Sequence, residues 1–135
     1  MQPTPYIAKT IVNAQDAIAS HIRWRITLLL ATTVREPLTE RAMLSIRYPA
    51  ECSLGKWLLS DRMQHLRNTP EYHTVDELHH AFHEQMRRVA DLINAGEFEE
   101  AQRLLNAPEP FQSTSNAFAN SITALDRCSA ARVAS

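Results

Sequence analysis

The sequence predicts an all-α protein, an antiparallel four-helix-type bundle with an additional short helix that carries a cysteine. Three observations point there. Apolar residues recur in alternating steps of three and four along several long segments, the period of a helix with one inward face. Only two glycines occur in 135 residues, too few for the tight backbone paths of a barrel, a dinucleotide-binding turn or a phosphate loop. Ala, Leu and Arg are the commonest residues and Glu is frequent, and these are strong helix formers. The length suits one domain with a real core. A net charge of -1 and the lack of any basic block argue against a nucleic-acid partner. The longest apolar run, Ile26 to Ala31, is far too short to span a bilayer, and no signal-peptide core precedes it. A cytoplasmic chain with no membrane insertion is expected.

Taken in order, residues 1–6 carry two prolines and read as a disordered lead-in. A first helix is expected from near Tyr6 to near Arg35, on the stripe Ile7, Ile11, Ala14, Ile18, His21, Arg25 and Leu28. His21 stands out because it occupies a stripe position; if buried there it must be hydrogen-bonded or ligated. Pro37 ends this helix, and a short one fits Thr39 to Ile46. Ser53 is the expected N-cap of a helix over Leu54 to Met63. That placement puts Cys52 at a helix N-terminus, where the dipole and free N–H groups favour a thiolate. Gly55 in the first turn suggests a close approach to a neighbour, and Trp57 a core anchor.

A polar loop is expected over His65 to His73, then a capping box of Thr74 with Glu77. It opens a long helix, Val75 to Ala95, with the inward stripe Val75, Leu78, Phe82, Met86, Val89 and Ile93, stopped by Gly96. A short helix follows over Glu97 to Asn106, and Pro108 and Pro110 break the chain. The last helix shows Phe111, Ser115, Phe118, Ile122 and Leu125, with residues 128–135 expected to fray. The ordered domain is thus expected at 7–127.

The chemistry centres on His79 and His83. Four residues apart on a helix, they share one face with rings about 6 Å apart along the axis, a span over which two imidazoles can close on one ion. His80 is rotated roughly 100° away and cannot join them. By itself such a pair is often just a solvated or packed face. With His21 and Cys52 added, three imidazoles and a thiolate make a closed tetrahedral donor set for Zn2+, one that disfavours magnesium and calcium. Four protein ligands leave no open position for water, so hydrolysis is not expected. A di-metal carboxylate site needs Glu-x-x-His on two helices, and only Glu77-Leu78-His79-His80 offers that spacing. No enzyme is expected. His65, His73 and His80 read as surface residues and Cys128 as a bystander thiol; two cysteines in such a chain do not suggest a disulfide.

These blocks resemble the chemoreceptor zinc-binding (CZB) domain family. Cys52-Ser53-Leu54-Gly55-Lys56-Trp57-Leu58 is similar to its Cys-x-Leu/Phe-Gly-Lys/Arg-Trp segment, and His79-His80-Ala81-Phe82-His83 to its His-x-x-Phe-His helix. Asp16 to Trp24 resembles its first-helix block, in which a His precedes a Trp by three. The resemblance covers roughly Ile7 to Arg127 and places the family's zinc ligands on His21, Cys52, His79 and His83. It implies a bacterial cytoplasmic sensory or regulatory domain, often homodimeric, that works with a chemoreceptor or diguanylate cyclase output module. Zinc occupancy or oxidation of the ligating cysteine would be the signal. The alternative is a structural zinc-stabilised helical dimerisation module with no sensing role.

Overall fold

The computed structural model describes residue 11 and residues 13–134, with side chains to residue 131. Among the described residues there are six α-helices: α1 Ala14–Val34, α2 Glu40–Arg47, α3 Ser53–Leu58, α4 Pro70–Asn94, α5 Phe98–Asn106 and α6 Ser113–Ala134. Short 3-10 turns at Pro49–Glu51 and Asp61–Leu66 flank α3, and a π-type turn at Pro108–Gln112 leads into α6. No strand occurs among the described residues, so the all-α class stands. The central helix α4 packs most extensively on α6 and also receives α2 and α5, while α1 lies against α5 and α6.

Four boundaries differ from expectation, three of them for a local reason. α1 begins at Ala14, because Asn13 is extended and its side chain accepts from the Asp16 N–H at 2.8 Å as the N-cap. The expected helical turns at residues 6–10, like the lead-in at 1–6, lie outside the described residues. α3 is capped by Cys52, whose sulfur takes the place expected of the Ser53 hydroxyl; the helix stops at Leu58, and residues to Leu66 continue as a 3-10 turn. α4 starts five residues before Val75, since Thr69 caps it and Pro70 takes the first helical position, which needs no N–H. Thr74 is therefore interior, its hydroxyl donating to the Pro70 carbonyl at 3.1 Å. α6 runs on as helix to Ala134, past Arg127 where fraying was expected.

The core joins Trp24 and Leu28 of α1, Trp57 and Leu58 of α3, Val75, Phe82, Met86 and Ile93 of α4, and Phe118, Ile122 and Leu125 of α6. Burial of such side chains contributes about 1.5–3 kcal/mol each and is the main force holding the helices together. α1 is apolar on its outer side as well. Ile22, Ile26, Leu30 and Val34, four residues apart, are 52%, 57%, 41% and 41% exposed. Among the described residues, no helix is long and apolar enough to cross a membrane.

Candidate metal centre

Cys52, His79 and His83 are buried together, with one donor atom from each lying within 4.8 Å of the others. Tetrahedral zinc, with bonds of about 2.0–2.3 Å, places its donors roughly 3.5 Å apart, so small side-chain adjustments would seat an ion. α4 supplies both imidazoles from successive turns, with ring centroids 4.6 Å apart and planes at 90°. Cys52 comes from a separate element. As the cap of α3 its Sγ accepts the Gly55 N–H at 3.3 Å and lies 3.2 Å from His79 Nε2.

One further partner orients the site. His83 Nδ1–H donates to the Ile46 carbonyl at 2.9 Å, which leaves Nε2 as the bare donor and ties the end of α2 to the centre. His21 lies beside this group but outside it. Its ring lies tilted against Phe82 with centroids 4.0 Å apart and meets Phe118 edge-on at 5.0 Å. His21 Nε2 contacts Ser115 Oγ at 2.5 Å, and its buried Nδ1 has no hydrogen-bond partner. That buried, unpartnered nitrogen is an atom whose burial is costly unless something pairs it. The donor set and the orphan together fit a zinc ion.

His80 is exposed and folds back on its own helix, contacting the Asp76 carbonyl at 2.8 Å, as its rotation about the axis requires. His65 is exposed on the Asp61–Leu66 turn and His73 is exposed on the first turn of α4, where a loop was expected, and Cys128 is a partly buried free thiol. Ser115 and the Ile46 carbonyl were not singled out from sequence. A serine in the apolar stripe of the last helix was the available signal for the first; a backbone carbonyl leaves none.

Electrostatics keep the imidazoles neutral, the form in which they ligate. Burial, followed by the neighbouring charges of His83, His80 and His21, holds His79 down to about 2. Burial and then His83 lower His21 to about 4, and burial lowers His83 to about 4 against the opposing pull of the Ile46 carbonyl. Burial raises the Cys52 thiol, outweighing the nearby Gly55 and Leu54 N–H groups and Lys56. The helix start thus does not by itself yield the thiolate expected from sequence; a cation at the site would have to draw the proton off.

The histidine values have a consequence for the metal-stripped protein. Each folded-state value lies below the ordinary 6.5, so between 6.5 and about 4 the unfolded chain binds protons that the folded chain refuses. Their stabilising contribution is complete above pH 6.5 and is lost as pH falls toward 4. Thermal melts of chelator-treated protein are expected to show the midpoint dropping across that window; a flat midpoint from pH 7 to 4.5 would refute it.

A family model described as the chemoreceptor zinc-binding domain, CZB, matches residues 21–90, just over half of the chain and the stretch containing all four expected ligands. No curated protein and no solved structure matches the chain.

Proposed function

Because the chain belongs to the chemoreceptor zinc-binding domain family, we propose that it is a zinc-responsive regulatory domain of bacterial signal transduction, holding Zn2+ on His21, Cys52, His79 and His83. The observation that carries the reading is the buried Cys52, His79 and His83 group on α3 and α4. His21 is assigned the fourth position because its ring packs on Phe82 and Phe118, which also touch His83 and His79, and its buried Nδ1 has no hydrogen-bond partner. Four protein ligands close the coordination sphere, which suits a site that is occupied or emptied rather than one that turns over substrate. Bound there, zinc would supply a cation strong enough to hold the Cys52 sulfur as a thiolate.

The chain's own residues then make the switch. His79 and His83 are fixed by the rigid α4, whereas His21 and Cys52 arrive from α1 and the α3 cap. Release of the metal frees three elements together. A peroxide, transferring one oxygen to the Cys52 sulfur and itself being reduced to water or an alcohol, would convert the thiolate to a sulfenic acid and loosen the same tether. The reading places the domain at residues 7–127, in the cytoplasm, as a homodimer that acts on a diguanylate cyclase or chemoreceptor-type output module, with no catalytic step of its own.

A second reading, a structural zinc-stabilised dimerisation module, is favoured by the exposed row Ile22, Ile26, Leu30 and Val34. One set of measurements tests both: metal content, chelator competition, and solution mass before and after chelation. The regulatory reading expects one zinc per chain, exchange with chelators in the range of available zinc, and a change in helix packing or mass on removal. Zinc that cannot be withdrawn without unfolding supports the structural module, and a chain that neither carries nor takes up zinc overturns both. Ile26→Glu is expected to shift the dimer toward monomer.

A further inference from the structure

We propose that Ser115 is a positioning residue for the metal centre, fixing through one hydrogen bond which nitrogen of His21 is offered to the ion. The inference rests on His21 being the fourth ligand. Ser115 Oγ lies 2.5 Å from His21 Nε2, across 94 residues of sequence, while Nδ1 is buried with no partner. Two tautomers are compatible with that contact. If the serine donates, Nδ1 carries the ring proton, and a buried N–H is left without an acceptor, in a form that cannot bind a cation. If Nε2–H donates to the serine oxygen, Nδ1 is a bare lone pair, and a cation satisfies it. Only the second arrangement gives every polar atom of the ring a partner once the ion is present.

The ring cannot readily turn over to exchange its nitrogens. Phe82 lies against one side at a centroid separation of 4.0 Å, and Phe118 closes on it edge-on at 5.0 Å. His83 is fixed in the mirror sense: its Nδ1–H is held by the Ile46 carbonyl, so Nε2 is the nitrogen left to ligate. The two histidines therefore present opposite nitrogens, each set by a partner on another helix. Ser115 also gives α6 a part in the centre. α6 contributes none of the four ligands, yet it packs on α4 more extensively than any other helix does. Ligation of His21 would then be felt by α1 directly and by α6 through one hydroxyl.

The test uses the full chain with zinc alone as the probe. Ser115→Ala is expected to weaken zinc by about ten- to a hundredfold in chelator competition, the usual cost of losing an outer-shell partner, and Ser115→Thr to restore it. Long-range 15N–1H spectra of histidine-labelled, zinc-loaded wild type are expected to show His21 ligated at Nδ1 with its proton on Nε2, a signature that a purely structural serine would not set. Ligation of His21 through Nε2, or unchanged zinc affinity in Ser115→Ala while His21→Ala loses affinity, overturns the proposal and leaves the ligand set standing. Unchanged affinity in His21→Ala overturns the four-ligand reading and this proposal with it. The wild-type spectra decide the matter even if the alanine variant fails to fold.

Discussion

His79→Ala and Cys52→Ser are each expected to lower zinc affinity by about a hundred- to a thousandfold, while His80→Ala leaves it unchanged. The size follows from structural zinc sites, which bind with roughly 10–16 kcal/mol; a quarter of that is about 2.5–4 kcal/mol per ligand, and each 1.4 kcal/mol is tenfold. The contrast follows from geometry. His79 is 3% exposed with Nε2 at 3.2 Å from Cys52 Sγ, whereas His80, its chain neighbour, faces solvent and contacts its own helix backbone at Asp76. The serine variant keeps the N-cap function, since a hydroxyl accepts the Gly55 N–H at least as well as a thiol does. Its folding should therefore survive, and the loss can be assigned to the donor atom. Competition titration against a chromogenic chelator reads all three variants. An unchanged affinity in His79→Ala, or a loss in His80→Ala equal to it, would remove α4 as the anchor of the site.

How much of this is legible in the sequence depends on the kind of signal. The helical class and the α4 stripe were legible because Val75, Phe82, Met86, Val89 and Ile93 repeat an apolar period over five turns, and all are buried. His79 and His83 were legible as a pair because helix geometry alone places them on one face. Helix starts were less so. Thr74 with Glu77 and Thr69 with Pro70 are both good N-terminal signals, and the earlier one prevails because Thr69 is buried against the Leu66 carbonyl while Pro70 needs no donor. Ser53 and Cys52 compete in the same way. Choosing between them takes the tertiary fact that the sulfur sits near His79 and caps the helix at once. On α1 apolar residues lie on both sides, so Ile18 and Arg25 of the expected stripe are only half-buried, while its members Ile11, Ala14, His21 and Leu28 are buried, together with Ala17 and Trp24. A helix that is apolar all round gives periodicity little to select on. Gly55 was legible as a close approach, and the structure supplies its neighbour.

Gly55→Ala is the single-atom change expected to do the most harm. A Cβ at this position would press into the Pro49 carbonyl oxygen, 2.9 Å from the Pro49 carbonyl carbon and 3.1 Å from Ala50 Cα. All of these are backbone atoms of the Pro49–Glu51 turn, so no flexible side chain can swing aside to make room. The turn and α3 must separate, and Cys52 lies at the joint between them. The Gly55 N–H that now binds Cys52 Sγ at 3.3 Å moves with the helix, and the sulfur shifts relative to His79. Forcing an extra methyl into close-packed backbone costs about 1–3 kcal/mol or more, and here the displacement falls on a donor atom. The variant is therefore expected to lose zinc affinity by at least tenfold and to melt lower with zinc present. After chelation the gap between variant and wild type should narrow to the packing cost alone. Parallel thermal melts with zinc and with chelator measure both quantities. If the two gaps are equal, Gly55 serves only the packing of α3; a larger gap with zinc means that the glycine is what lets the cysteine reach the histidines.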